Sequence, residues 1–318
     1  MLDLDIMAFF RALPPSVAQG MLWGIMAIGV YITFKILDFA DLTVDGSLAL
    51  GGAVTVMLIR AGFSPVAAMC AATAAGLLAG LVTGIFNTLL GIPDILAGIL
   101  TQIALYSVNL NIMGKSNQAV SVDKYNLVVS LRYTTHTMIL ALIVVAVLVA
   151  ILYWFFGTER GFTIRATGCN QAMARAQGIN TNSSKVLALA ISNGLVGLCG
   201  AFVAQYQGSA DVNMGRGAIV IGLAAVIIGE VIGDAVLGKH MNFALRLIFA
   251  AVGAIIYYIV ITFVLWLGLP SDDMKLFSAI VVAIFLAVPY LKGKYNTSFA
   301  KAAKMSRKAG SEVKGDAK

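Results

Sequence analysis

The sequence predicts an all-α polytopic membrane protein of about nine transmembrane helices (eight to ten), in two inverted repeats with broken helices. Three observations carry that expectation: the composition, a succession of apolar runs of bilayer length, and an echo between the two halves. Of 318 residues, 60% are hydrophobic and 12% charged, with a mean hydropathy of +0.91. A soluble globular chain is about 45–50% apolar and about 25% charged. This balance excludes a soluble enzyme, a disordered tail and a fibrous protein.

A spanning helix needs about 20 apolar residues. Nine segments qualify or nearly do: roughly 17–37, 46–60, 65–90, 94–113, 137–156, 184–206, 217–238, 242–266 and 274–290. The clearest runs from Met138 to Phe156 without a polar residue, as expected of a helix that faces lipid. The third carries Gly76, Gly80 and Gly84 at four-residue spacing, a seam that lets another helix approach closely. The second is short. Only Ser47 to Ile59 is apolar before Arg60, and "DFADLTVDGS" stands in front, with Asp38, Asp41 and Asp45 near membrane depth. Such a run suggests a broken or re-entrant helix, whose irregular backbone must be buried in protein or line a cavity.

The echo strengthens that reading. Ala40-Asp41, Gly52 and Gly24 recur as Ala210-Asp211, Gly222 and Gly194 at one offset of 170 residues. The span from 17 runs inward and its counterpart from 184 outward, the arrangement of an inverted repeat. A single transmembrane domain over 1–290 follows, with halves of about 17–156 and 184–290, a linking loop at 157–185 and a basic tail at 291–318.

Orientation comes from the basic residues. The 157–185 loop holds Arg160, Arg165, Arg175 and Lys185 against Glu159 alone, and the tail after Leu291 holds eight of the 22 Lys and Arg. Both are expected on the cytoplasmic side, which puts the N-terminus outside and the 114–136 loop outside with it. The net charge of +7 resides largely in that tail, which suits anionic lipid and gives no nucleic-acid patch.

Chemistry is sparse. Cys70, Cys169, Cys199, His136 and His240 are scattered without ligand spacing, so no metal or other cofactor is expected. Asp3 and Asp5 precede Arg11, so no cleavable leader is read there. A phosphate-binding loop needs GxxxxGK[ST], but Asn109 stands where the first glycine before Gly114-Lys115-Ser116 belongs. ATP hydrolysis is therefore not expected of this chain, nor is enzyme catalysis.

The polar residues inside spans are the remaining candidates. Asp41, Thr43, Asp45, Ser47, Asp211 and Asn213 flank helix starts at the two related breaks, where free N–H groups suit an anionic solute group; the alternative is that they cap helices. Glu230 lies within "LAAVIIGEVIGDAVLG", either on a water path or paired to fix packing. Asn87, Gln102, Asn109 and Asn193 read as interhelical hydrogen-bonding groups. In the loop "GFTIRATGCNQAMARAQGINTNSSK", Ala172 to Gln177 suggests a short helix closed by Gly178. Small residues leave it smooth, with Arg165 and Arg175 projecting toward a partner.

The stretch "GFTIRATGCNQAMARAQGI" resembles the coupling-helix motif of ABC-importer permeases of the branched-chain amino acid and ribose permease superfamily. "GIMAIGVYITFKILDFADLTVDGSLALGGAV" and "SNGLVGLCGAFVAQYQGSADVNMGRGAIVIGLAAVIIGEVIG" are similar to its tryptophan/tyrosine transport permease subgroup. The resemblance runs from about Gly20 to Gly238. It implies a bacterial inner-membrane subunit, paired with a second permease copy, two cytoplasmic ATPase subunits and an extracytoplasmic substrate-binding protein. It assigns ATPase coupling to Arg165, Ala166, Thr167, Gly168, Asn170, Ala174, Arg175 and Gly178. Cys169 departs from it, standing where an acidic residue is expected.

The expected function is import of a small solute by alternating access, an aromatic amino acid being favoured over a sugar or nucleoside. The rival is a secondary transporter driven by an ion gradient, with Glu230 or Asp41 carrying the proton; a passive channel is the third possibility.

Overall fold

The computed structural model describes residues 6–238 and 241–267, with isolated positions between 276 and 287. Helix α1 (Ile6–Tyr31) runs on through a π-helical turn, Ile32–Ile36. Then follow α2 (Thr43–Arg60), α3 (Pro65–Thr88), α4 (Asp94–Met113) and α5 (Thr134–Phe156). Two short helices, α6 (Glu159–Cys169) and α7 (Gln171–Ala176), precede α8 (Thr181–Gln207), α9 (Ala218–Leu237) and α10 (Phe243–Trp266). Among the described residues, eight helices are long and apolar enough to cross a membrane. The described positions of the ninth apolar segment are helical, and Val282 is buried against Tyr257 and Ile261. Lys239, His240 and the tail lie outside the described residues.

Helix ends follow local chemistry. Ser64 accepts the Ala67 N–H ahead of Pro65, and Asn180 accepts the Ser183 N–H at the head of α8. Gly114 and Gly208 close α4 and α8 in the left-handed region. The first span begins earlier than the apolar run suggested, because α1 passes through Pro14 and Pro15. Tertiary packing holds that extension: Tyr206 donates to the Pro15 carbonyl at 3.0 Å, and the Phe9 ring meets Phe263 and Trp266.

The second span is also corrected. It is an unbroken 18-residue helix, and the irregular backbone lies before it, at 37–42, where Asp38 takes φ 57°. Thr43, Asp45 and Ser47 are helical although polar, because each finds a partner inside the protein.

The most extensive helix pairings are α3 with α8 and α1 with α10. Glycines make both close. Gly76, Gly80 and Gly84 lie against the α8 backbone, and a Cβ on Gly84 would stand 2.8 Å from Val186 Cα. Gly20 does the same for α1, 2.6 Å from Ile255 Cα. Helix α2 is clasped between α3, α4 and α8. By contrast α5 leaves Ile139, Leu142, Ile143, Val147 and Ile151 exposed, the apolar face a bilayer would cover.

A two-stranded antiparallel ribbon, β1 (Asn117–Ala119) with β2 (Ser209–Asp211), ties the loop after α4 to the turn after α8. It sits at the opposite end of the bundle from α6 and α7, which follow α5 and precede α8.

Candidate functional site

The irregular segment 37–42 leads into a buried polar junction. Asp41 accepts the Thr43 N–H on Oδ1 at 2.9 Å and the Asn193 side-chain amide on Oδ2 at 2.6 Å. Asn193 Oδ1 accepts from the Ser47 hydroxyl at 2.7 Å. The Thr43 and Thr83 hydroxyls lie 2.7 Å apart, and Thr83 lies 2.9 Å from Thr101. All of these residues are buried, so the network joins α2, α3, α4 and α8 where a lone polar group would be costly.

Asp45 extends the junction to α9. Its two carboxylate oxygens accept the Gly217 and Ile219 N–H groups, each at 2.9 Å. Gly217 has no side chain with which to cap that helix, so a carboxylate from another helix serves its positive end. The first turns of α2 and α9 therefore meet.

Beside this meeting point lies a cavity of about 350 Å³, bordered by Asp45, Gln102, Tyr106, Ser107, Asn109 and Arg216. Asn109 donates to the Gly46 carbonyl at 3.4 Å, while its buried Oδ1 has no partner among the described residues. Arg216 is exposed and makes no ion pair among the described residues. Tyr106, Ser107 and Arg216 were not picked out as candidates from sequence, and Gln102 and Asn109 were read only as interhelical groups. A signal was present, since Gln102, Tyr106 and Asn109 recur at spacings of four and three along α4 and so share one face.

The remaining pathway candidates lie elsewhere. Asp211 accepts the Asn213 N–H at 2.7 Å in a local turn at the ribbon, and neither residue borders the cavity. Glu230 pairs with Lys35 at 2.6 Å and lies 3.8 Å from Arg246, joining the C-terminal half of α9 to the end of α1 and the start of α10.

The loop at 157–185 is more built than its sequence suggested. Besides α7, it holds the eleven-residue α6, capped by Thr158, which accepts the Gly161 N–H. Arg165 does not project. Its guanidinium lies 4.1 Å from the Phe243 ring centroid, 5.6 Å from Phe156 and 5.9 Å from Phe162, an aromatic niche that favours a cation. Thr167 is buried, and Gly168 abuts the Ile36 carbonyl so closely that no side chain fits. Arg165, Thr167 and Gly168 thus fasten α6 to the bundle, with Ala166 half-buried among them. Helix α7 is the exposed element. Only Ala174 is buried in it, while Asn170, Arg175 and Gly178 are exposed. Asn170 caps it by accepting the Met173 N–H at 3.0 Å, Arg175 donates to Thr181 at 2.9 Å, and Gly178 takes φ 78°. Met173, 63% exposed, is an apolar side chain at this surface that the sequence reading passed over.

The sequence matches one family of transport proteins. A family model described as "Branched-chain amino acid transport system / permease component" matches residues 15–289. The chain belongs to this family. It is 41% identical to a tyrosine transport system permease protein of Clostridioides difficile over 89% of this chain and 92% of that protein. It is 30% identical to the galactofuranose transporter permease protein of Escherichia coli, covering 78% and 71% of the two chains. The ribose import permease protein of the same species is 26% identical over 83% and 81%. No solved structure matches.

The chain's relatives are permease proteins of transport systems rather than enzymes. Membership in a family of transport-system permease components does not favour the ion-gradient carrier.

Proposed function

We propose that this chain is the membrane subunit of an ATP-driven bacterial importer that moves an aromatic amino acid by alternating access. Two permease copies form the pathway, a cytoplasmic ATPase docks on each, and an extracytoplasmic binding protein delivers the solute. The chain sits in the inner membrane with its N-terminus outside and its C-terminal tail in the cytoplasm.

The observation that carries this reading is the construction of α6 and α7. One short helix is locked to the membrane bundle through Arg165 and Gly168, and it holds the next out as an exposed ledge. A ledge so held passes a partner's push to the spans, because close-packed helices shift as units. The aromatic amino acid comes from the tyrosine permease relative, and sugar or nucleoside is the alternative. The halves 17–156 and 184–290 are read as inverted repeats, supported by the exchange of partners in which α1 lies on α10 and α8 on α3.

The test is uptake of radiolabelled tyrosine into vesicles holding the complete importer. Tyrosine accumulates only with ATP and binding protein, and a protonophore leaves it unchanged. Uptake driven by a proton gradient without nucleotide would refute the reading.

A further inference from the structure

The cavity between α2, α4 and the turn before α9 has three properties that packing does not require. It has the volume of a small-solute site, about 350 Å³. One residue on its border, Asn109, carries a buried acceptor, Oδ1, that has no partner among the described residues. It also brings opposite charges, Asp45 and Arg216, to the border of one space without pairing them within 4.0 Å. We propose that this cavity is a subsite for a zwitterionic solute, in which the Arg216 guanidinium takes the carboxylate and Asn109 Oδ1, Ser107 and Asp45 receive the ammonium.

The assignment follows from donor chemistry. A guanidinium offers a planar fork of N–H groups matched to a carboxylate. The ammonium needs acceptors only, and Asn109 supplies a buried carbonyl that lacks a donor among the described residues. Asp45 spends one lone pair of each oxygen on the α9 backbone, which holds the carboxylate in place and leaves capacity for a further donor. Tyr106 adds an aromatic surface beside these groups. A neutral sugar offers the guanidinium no carboxylate to pair with, so the subsite favours amino acid over sugar cargo. It rests on the importer reading above.

The experiment measures tyrosine uptake in cells carrying the complete importer, with the binding protein unaltered, for wild type, Arg216→Gln and Arg216→Lys. Arg216 is exposed, so membrane abundance stays at the wild-type level. The expected result is a fall in uptake per transporter of about tenfold or more in Arg216→Gln, the scale of a lost charge-assisted hydrogen bond. Arg216→Lys keeps uptake but with a raised KM. Wild-type kinetics in both variants, with wild-type import of tyrosine intact, would overturn the subsite alone. Wild-type import of ribose and not of tyrosine would overturn the amino-acid reading and the subsite together.

Discussion

Asn193, halfway along α8, donates to Asp41 at 2.6 Å and thereby pins the irregular segment before α2 to the opposite half of the protein. The same side chain accepts from Ser47 at 2.7 Å, so its donor and acceptor are both used to hold one break in place. Asn193→Ala would leave a buried carboxylate without that donor, costing about 3 kcal/mol. The expected outcome is a clearly lowered melting temperature of the detergent-purified chain, with Asn193→Asp lower still because two carboxylates then face each other. An unchanged melting temperature for both would deny the network a structural role.

The glycine seams predict a sharp positional contrast. Gly80 lies against the Leu189 carbonyl with no space for a side chain, whereas Ala74 on the same helix is exposed. Gly80→Val should cost about 3 kcal/mol by overpacking, and Ala74→Val almost nothing. Thermal melting of the two variants side by side decides it; equal stability would mean that α3 and α8 are not in close contact.

Arg165 and Met173 should fail in different ways. Removing the Arg165 side chain empties the niche of Phe156, Phe162 and Phe243 and should lower stability by about 1–2 kcal/mol. Met173→Glu touches no packed surface, so it should leave the melting temperature alone and weaken ATPase association instead. Limited proteolysis of the 157–185 loop separates the cases: faster cleavage is expected for Arg165→Ala and not for Met173→Glu.

The Lys35–Glu230 pair is half-exposed on the lysine side, so it should contribute about 1 kcal/mol or less. Glu230→Gln keeps the shape and can still accept from Lys35. Tyrosine uptake per copy should be unchanged in this variant, and its abolition with normal abundance would restore a proton-carrying role.

Most spans were legible because apolar length is a local property: α4 falls on the segment expected at 94–113. What escaped depends on distant residues. Helix α6 contains Gly161, Thr163, Thr167 and Gly168, a composition with poor helix propensity, and it forms because both glycines press on backbone from other elements. Arg165 read as projecting because arginine is usually exposed; the ring nearest it, Phe243, belongs to a helix far along the chain. The capping alternative could be written for Asp45 from sequence, but its partner could not, since Asp45 caps α9 rather than its own helix.

The most direct measurement is purification of the tagged chain from its native membrane in mild detergent, alongside Met173→Glu and Arg175→Glu variants, with quantification of the co-purifying ATPase. The account predicts one ATPase per permease for the wild type and its loss from both variants, while the permease itself remains folded and paired. A wild-type chain that purifies without an ATPase and still imports tyrosine in nucleotide-free vesicles would contradict it.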